Sequence, residues 1–477
     1  MKRWMAGVWL LAGLAACSVQ EPAADLQLEE VPALFPDYVD VTIPATIAPL
    51  RFRLLNDSAE AVAVIASEAG RWVVKAQDGQ FLLSEKAWKK YVGRSAGKDV
   101  QVTVMVRRQD RWVAYRSFAW HVSTDEIAPY LVYRLVEPGY ALWNKMGIYE
   151  RRLDSYDERA LLVNTQFDHN CMNCHSFNQR NPRQLLFHMR AKHAGTYFIS
   201  EGAVKRISGK FSERVQSLVY PYWHPSGRFV AFSTNTTRQA FHRGDINRVE
   251  VFDFASDVLV YDRERDEVLT DSAMASPAAF ETFPTFSPDG KTLYFCSADT
   301  CAMPDEFRKV KYSLCSIGFD ADRRTFLPPV DTLYSSASGG KSVSFPRVSP
   351  DGKYLVYTLS SYGNFSIWHK DADLYLLDLH TGEHRPLSAL NSDDVESYHS
   401  WSSNSRWMVF SSRRSDGLHT RPYLVHLDEQ GRPSKPFLLP QACPDFYDDF
   451  RFSYNIPELV DGKVELDRRQ VLEASED

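Results

Sequence analysis

The amino-acid sequence predicts a mainly β protein whose C-terminal part is a β-propeller of five or six blades, with six favoured. Three observations support this prediction: a repeated turn motif, 13% aromatic residues, and 25 prolines with 23 glycines in 477 residues. Aromatic residues favour pleated, half-buried strands, whereas proline and glycine mark the turns between strands. The chain is too long for one ordinary core, so we expect two or three domains.

The repeat defines the propeller, which we place at residues 195–477. Its first copy runs from Pro221 to Phe232 and holds the turn His224-Pro225-Ser226-Gly227. It returns at residues 284–295, at 346–357 and, in a degenerate form, at 399–410. Proline presets φ in such a turn, glycine supplies a positive φ, and the next strand buries one face. Copies about 50 to 65 residues apart are typical of propeller blades, and a strand within residues 450–457 is expected to close the ring.

The region before the propeller has three parts. Residues 41–123 hold short strand-like runs, such as Val100 to Val104 and Trp112 to Tyr115, separated by glycine-containing turns. This pattern predicts a β-sandwich-like domain of immunoglobulin size. Residues 18–40 are acidic and proline-containing and are expected to form a tether. Residues 124–163 show mixed helical spacing, which predicts a helical connector.

The N-terminus has the form of an export signal. Two basic residues precede an apolar run that ends in Leu14-Ala15-Ala16-Cys17. The run is too short for a resident membrane helix, and small residues before a cysteine are typical of a lipoprotein cleavage site. We therefore expect residues 1–17 to be a lipoprotein signal and lipobox, with Cys17 lipidated. Ser18 follows Cys17, and by resemblance to sorting rules this favours an outer-membrane lipoprotein, facing the periplasm or the cell surface.

The motif Cys171-Met172-Asn173-Cys174-His175 is the attachment pattern of a covalent c-type haem. Two thiols three positions apart can reach the two vinyl groups of one porphyrin edge, and the adjacent imidazole can ligate the iron. The sequence therefore predicts one haem c, bound through Cys171 and Cys174 with His175 as proximal ligand. Residues 164–194 form the predicted haem-binding segment, with a short helix expected after Pro182.

The second iron ligand is chosen among several nearby side chains. We select His188, because it follows a proline-initiated turn at a distance that lets the chain wrap around the ring edge. Met189 and His193 are the alternatives close in sequence, and an open distal site is a further possibility. Other residues that could serve are His169, Met146, His224 and His399. Arg190 is a candidate partner for a haem propionate, because guanidinium binds carboxylate in a planar, charge-assisted clamp.

The repeat resembles the TolB-like, or PD40, propeller family over residues 195–457. The stretch from Asn170 to Arg190 and the preceding Trp143 to Tyr149 resemble haem-bearing TolB-like lipoproteins of the Bacteroidetes type. The resemblance implies the domain architecture and a histidine at position 188 in an H-x-R pattern. It implies little about activity.

These patterns predict an exported monohaem cytochrome that transfers electrons to a redox protein partner at the cell envelope. One alternative is a protein- or glycan-binding propeller scaffold in which haem is structural or sensory. Another is a haem-dependent oxidoreductase or peroxidase. No catalytic set such as G-x-S-x-G or H-E-x-x-H occurs, and a net charge of −6 argues against nucleic acid as a partner. The cysteines left over could form two disulfides: Cys296, Cys301, Cys315 and Cys443.

Overall fold

The computed structural model describes residues 20–56, 60–137 and 144–476. The predicted lipobox, with Cys17, lies outside the described residues. Among those described, no helix is both long and apolar enough to pass through a bilayer.

Two sheets and one helix form the N-terminal domain. The helix, α1 (Glu85–Tyr91), is capped by Ser84, whose hydroxyl accepts from the Ala87 N–H at 3.3 Å. The strands are β1 (Leu26–Gln27), β2 (Leu34–Phe35), β3 (Val41–Pro44), β4 (Phe52–Leu54), β5 (Ala61–Ser67), β6 (Gly70–Lys75), β7 (Gln80–Phe81), β8 (Lys98–Arg108), β9 (Arg111–Ala114) and β10 (Phe118–Ser123). Strands β2, β4 and β7 form one sheet and the other seven form the second. Because β1 and β2 belong to these sheets, much of the predicted tether is part of the folded domain.

Six four-stranded sheets make up the rest of the molecule. In each sheet, one strand lies innermost, next to the propeller axis. We call each sheet a blade and number the blades 1 to 6 by the order in which their innermost strands occur in the chain. The last sheet combines three early strands with one late strand. The early strands are β11 (Tyr130–Val136), β12 (Met146–Arg152) and β13 (Glu158–Val163).

Blade 1 holds β14 (Met172–Phe177), β15 (Gln184–Met189), β16 (Gly195–Ser200) and β17 (Ala203–Ile207). Blade 2 holds β18 (Val219–Trp223), β19 (Phe229–Phe241), β20 (Val249–Asp262) and β21 (Glu267–Leu269). Blade 3 holds β22 (Ala279–Phe286), β23 (Thr292–Asp299), β24 (Ser313–Asp320) and β25 (Thr325–Tyr334), and α2 (Ser336–Gly339) follows it.

Blade 4 holds β26 (Ser342–Val348), β27 (Tyr354–Ser360), β28 (Asp373–Asp378) and β29 (His384–Pro386). Blade 5 holds β30 (Glu396–Trp401), β31 (Trp407–Ser412), β32 (Arg421–His426) and β33 (Phe437–Leu438). Three last elements follow: α3 (Phe446–Asp449), β34 (Ser453–Val460) and α4 (Arg468–Glu476). The mainly β fold with a propeller is therefore confirmed.

Blade 6 closes the ring. Its innermost strand is β34, which pairs antiparallel with β11, and β11 continues outward through β12 and β13. Closure by a C-terminal strand follows the prediction for residues 450–457. Residues 124–163, however, are not the predicted helical connector, because they supply the three outer strands of this blade. Aromatic and β-branched residues in Tyr130–Val136 fit a pleated sheet better than the helical period that we assigned.

Blade 1 takes up most of the predicted haem-binding segment. Residues 172–177 and 184–189 are strands, and short 3-10 turns at Asn164–Gln166, Asn178–Arg180 and Ala191–His193 connect them to the rest of the chain. No α-helix follows Pro182 in this part of the described chain, because Gln184–Met189 is strand β15. The propeller thus begins before residue 195.

Turn chemistry is preserved where the repeat is degenerate. Gly227, Gly290 and Gly352 have φ near +70° in the first three copies. In the fourth copy Ser405 takes this role with φ +60°, and Asn404 replaces the aspartate that bonds the turn serine. A left-handed serine costs more than glycine, so the side-chain contacts must hold this turn.

The sandwich and the propeller share a core. One cluster of buried side chains includes Trp88 and Trp120 of the sandwich and Trp407 and Phe410 of blade 5. Tyr38 donates a hydrogen bond to the Leu438 carbonyl at 3.2 Å across this contact. Burial of such large aromatic surfaces fixes the sandwich against one side of the ring.

The four cysteines that we expected to form two disulfides are free thiols: Cys296, Cys301, Cys315 and Cys443. Phe295 pairs with Cys315 and Cys296 with Leu314, so the two cysteines are offset by one residue on neighbouring strands. Cys296 belongs to the core cluster on one face of blade 3 and Cys315 to the cluster on the other face. Side chains on opposite faces of a sheet cannot form a disulfide without backbone movement.

Candidate binding site

An aromatic layer closes the axial channel of the propeller. Four innermost strands each place one ring at the axis: Tyr220, Phe283, Phe345 and Tyr398. Successive ring centroids lie 4.4, 4.5 and 4.2 Å apart, so these rings from four different blades are in contact. We call them the axial layer. It divides the channel into a wide end and a narrow end.

A bulge in each innermost strand aims these residues. The pairing register shifts at this point in all six innermost strands. The bulged residue has a positive φ of 49 to 52° in five of them: Cys174, Tyr220, Phe283, Phe345 and Ile456. A bulge bends a strand and re-aims a side chain, and here it turns one side chain per blade toward the axis.

This register aligns the haem motif with the blade repeat. Cys174-His175-Ser176-Phe177 occupies the positions of Tyr220-Pro221-Tyr222-Trp223 in the next blade. Cys174 therefore stands where most blades place an aromatic ring, and His175 stands where four blades have proline. His399 occupies the same place as His175 in blade 5. The motif is thus part of a β-strand.

A cavity of about 550 Å³ fills the wide end. Cys171, Cys174 and His188 line it, with Met146 beside them. Strands β19 and β20 are 13 and 14 residues long and extend beyond the rest of blade 2. The residues at their far ends form one wall of the cavity. This volume lies within the usual range for sites that hold a small organic ligand.

Both thiols at the cavity are buried and free. Cys171 Sγ accepts a hydrogen bond from Asn173 Nδ2 at 3.6 Å. Burial raises the pKa of the Cys174 thiol, and the charges of Arg190 and Arg134 only partly offset this. The thiol form therefore dominates near neutral pH, and Cys174 is not an activated nucleophile.

Cations dominate the charge of the cavity. Among the described residues that line it, four are Lys or Arg and one is acidic: Arg134, Arg190, Lys210, Arg413 and Glu137. Arg134 donates to the Met172 carbonyl and to Asn455 Oδ1, both at 3.2 Å, while its buried Nε has no partner among the described residues. The guanidinium of Arg413 lies 3.4 Å from the Trp368 ring centroid. Four positive charges against one negative charge favour an anion.

The two central histidines lie in different environments. His188 lines the cavity, and its Nδ1 is 3.3 Å from Thr196 Oγ1. His175 is 2% exposed and does not line the cavity. Neither ring nitrogen forms a well-aligned hydrogen bond within the described chain, and the nearest backbone groups are those of Ile456 and Val132. Burial lowers the pKa of both His175 and His188 to about 3, so both rings are neutral.

The alternative ligands are placed elsewhere. Met189 is fully buried in the core of blades 1 and 6 and does not line the cavity. His193 is engaged on both nitrogens, with the Ser475 carbonyl at 2.9 Å from Nδ1 and Asp168 Oδ2 at 2.9 Å from Nε2. The structure thus brings Cys171, Cys174 and His188 to one cavity, with Arg190 at its wall.

The residues fit a covalent haem only in part. The two thiols, His188 and the arginines share the cavity, as attachment and propionate binding would require. His175, the predicted proximal ligand, does not share it, because successive side chains of a strand point to opposite faces. Sequence analysis missed Arg134, Lys210 and Arg413. No local motif marks them, since they come from different blades and loops.

No protein-family model matches the chain, and no curated protein matches it. Solved structures similar to it include a tricorn protease, with a TM-score of 0.28 and 11% identity over 76% of this chain and 36% of that chain. A putative dipeptidyl aminopeptidase IV from Bacteroides ovatus has a TM-score of 0.29 and 10% identity over 68% of this chain and 60% of its own. A GH74 enzyme from Niastella koreensis has a TM-score of 0.39 and 10% identity over 64% of this chain and 44% of its own. The chain thus spans less than two thirds of each.

The prediction of an electron-transferring cytochrome is wrong. Within the described ranges, no group of three or more His, Cys, Asp or Glu side chains could hold a metal ion. His175, the predicted proximal ligand, lies outside the cavity that the two thiols line. Attachment of haem c to Cys171 and Cys174 is a separate question and stays a prediction.

Proposed function

We propose that this protein is a binding propeller whose wide channel end takes a ring-shaped ligand with two or more carboxylates. The observation that carries the proposal is the charge of the cavity, where four cationic side chains face one carboxyl group. A guanidinium group binds carboxylate through paired, charge-assisted hydrogen bonds, each stronger than a neutral one.

The rest of the wall suits a ring. Trp368, Phe365, Tyr220 and Tyr398 line the same cavity. Aromatic faces bind flat rings and the apolar faces of sugars by stacking and by burial of apolar surface. Arg134 supports this role, since its buried Nε has no partner in the described chain and a ligand carboxylate would supply one.

Two classes of ligand share this chemistry. One is a porphyrin dicarboxylate, which includes the haem c predicted on Cys171 and Cys174 in a structural or sensory role. The other is an acidic oligosaccharide, which fits a glycan-binding scaffold. Anchoring by lipid at Cys17, a protein partner at the cell envelope, and the TolB-like family assignment also stay predictions.

Calorimetry tests the proposal with two probes, protoporphyrin IX and trigalacturonate. Binding of either supports it, and the preferred probe identifies the class. Arg134→Gln and Arg190→Gln should each weaken binding about tenfold or more, since a hydrogen bond to a charged group contributes about 1.5 to 3 kcal/mol. Arg116→Gln, at an exposed site on the sandwich, is the matched control and should change nothing.

The dimethyl ester of protoporphyrin IX separates charge from stacking, and it should bind more weakly than the diacid. Equal binding of the ester and the diacid would overturn the anion site, as would failure of both probes. Mass spectrometry of protein matured in a host with cytochrome c assembly, against Cys171→Ala/Cys174→Ala, tests haem attachment independently.

A further inference from the structure

A second, smaller cavity lies at the narrow end of the channel, on the other side of the axial layer. Its volume is about 50 Å³. Five innermost strands each contribute the residue that stands two positions after the axial one: Ser176, Tyr222, Arg347, Ser400 and Glu458. Arg180, from the turn after β14, and Trp401 complete the polar and aromatic wall.

The charged groups around this cavity do not satisfy one another. Arg347 and Arg180 act on Glu458 through their charges, without an ion pair within 4.0 Å in the described chain, and the Glu458 carboxyl accepts a hydrogen bond from the Phe177 backbone. Glu458 Oε2 and Arg180 Nε are buried and lack partners in that same part of the chain. Arg347 donates to the Pro346 carbonyl at 2.8 Å and lies 5.2 Å from the Tyr222 ring centroid. Buried groups of this kind normally have a partner, which indicates an occupant between them.

We infer that the narrow end binds a small planar oxyanion of carboxylate size between Arg180, Arg347 and Glu458. Two guanidinium groups face one carboxyl group, so the cavity is net positive whether or not Glu458 is ionised, and an anion offsets that charge whereas water does not. A water molecule needs about 10 to 15 Å³ of such space, so the cavity has room for an occupant of only a few heavy atoms. Acetate, nitrate and bicarbonate are anions of that size.

Glu458 then acts as a hydrogen-bond donor to the anion. Burial raises the pKa of its carboxyl to about 8, with Arg347 partly opposing that shift. The group is protonated at neutral pH and can donate its proton in a hydrogen bond. Above pH 8 it becomes a carboxylate and repels an anion held by the two arginines.

Acetate is the probe, because its own charge does not change between pH 7 and pH 9. Line broadening of ¹³C-labelled acetate measures binding to the full chain at constant ionic strength in chloride. We expect millimolar binding at pH 7 that weakens about tenfold or more by pH 9. Arg347→Gln and Arg180→Gln should each weaken it about tenfold at pH 7. Glu458→Gln should bind at both pH values, because an amide donates a hydrogen bond but does not ionise.

The wide end has cations of its own, so the double variant Arg134→Gln/Arg190→Gln serves as the control and should bind acetate normally. Acetate binding that is lost in this double variant and kept in Arg347→Gln would assign the anion to the wide end and overturn the inference. Absence of binding up to 100 mM acetate would mean that the narrow end holds only water, and this result would also overturn the inference. Neither result bears on protoporphyrin IX or trigalacturonate, so failure of one site is distinguishable from failure of the other.

Discussion

Blade 1 differs from the other blades at the position that faces the propeller axis. Four blades place an aromatic ring there and blade 6 places Ile456, whereas blade 1 places Cys174. A thiol is much smaller than a phenyl ring, so Cys174 leaves more space at the axis, and it lines the wide cavity together with Tyr220, Tyr398 and Ile456. The repeat thus supplies a closed core, and the departure of one blade from the repeat opens a site.

The next position shows the same contrast. Four blades have proline there: Pro221, Pro284, Pro346 and Pro457. Blades 1 and 5 have His175 and His399 instead. The ring of His399 meets the Val356 carbonyl at 3.0 Å through Nε2, whereas neither nitrogen of His175 forms a well-aligned hydrogen bond among the described residues. Two histidines at one repeat position are therefore satisfied to different degrees.

The largest effect is expected at the axial layer. Phe345 is 1% exposed and contacts both Phe283 and Tyr398. Phe345→Ala should lower the free energy of unfolding by about 3 to 5 kcal/mol, because it removes a buried ring and leaves a void. Urea unfolding measures this. Phe345→Leu, which keeps more of the volume, is the matched control and should cost less, and a loss below about 1 kcal/mol in the alanine variant would show that the layer is not a core.

A second effect depends on pH and contrasts blades 3 and 5. Glu281 and Glu396 stand at equivalent positions, two residues before the axial ring. Glu396 accepts from Arg414 at 2.9 Å, whereas Glu281 Oε2 has no partner in the described chain. Burial, and then the charge of Asp257, raises the pKa of Glu281 from 4.5 to about 8.

The folded protein therefore keeps this proton up to about pH 8, while the unfolded chain releases it near its ordinary pKa. Stability should fall as pH rises through this window, by about 1.4 kcal/mol per pH unit for one such group. Glu281→Gln should remove the contribution of this group to the loss of stability with rising pH. The variant should therefore have a higher free energy of unfolding than the parent protein above pH 7. Urea unfolding of both proteins at pH 5, 7 and 9 measures this difference. Glu396→Gln is the contrast variant, and it should be less stable than the parent protein at pH 7 because it loses the ion pair with Arg414. Parallel pH profiles for Glu281→Gln and the parent protein would contradict the shifted pKa.

A smaller effect is expected at His399. Burial lowers the pKa of this histidine to about 4, so the ring is neutral and its Nε2–H donates to the Val356 carbonyl. His399→Leu should cost about 1 to 3 kcal/mol, since it leaves a buried carbonyl without that partner. His399→Gln, which retains a donor, should cost less. An unchanged unfolding midpoint in the leucine variant would show that the contact contributes nothing.

The sequence predicted the propeller well because one tight turn recurs in all four copies. Proline and glycine mark this turn in the first three copies, and the strand pattern around it identifies the fourth. It did not reveal that Cys174-His175 belongs to the same repeat, because blade 1 lacks both the aromatic residue and the proline. The closing strand of blade 6 was predicted, but its three outer strands were missed, since they come from residues 130–163, far in the chain from the closing strand at 453–460. The cations of the wide end were invisible for a similar reason: only the closed ring brings them together.

The smallest effect, and the one that most sharpens the comparison of blades, is expected at His175. The nitrogens of this buried ring form no well-aligned hydrogen bond, and only the backbone of Ile456 and Val132 lies near them, so the desolvation cost of the ring is poorly compensated. His175→Leu should therefore change the free energy of unfolding by less than about 1 kcal/mol, or raise it, because an apolar side chain of similar volume removes that cost. Chemical denaturation of this variant beside His399→Leu measures the difference between the two positions. Equal losses in both variants would mean that His175 is satisfied as His399 is, and that blade 1 departs from the repeat only at Cys174.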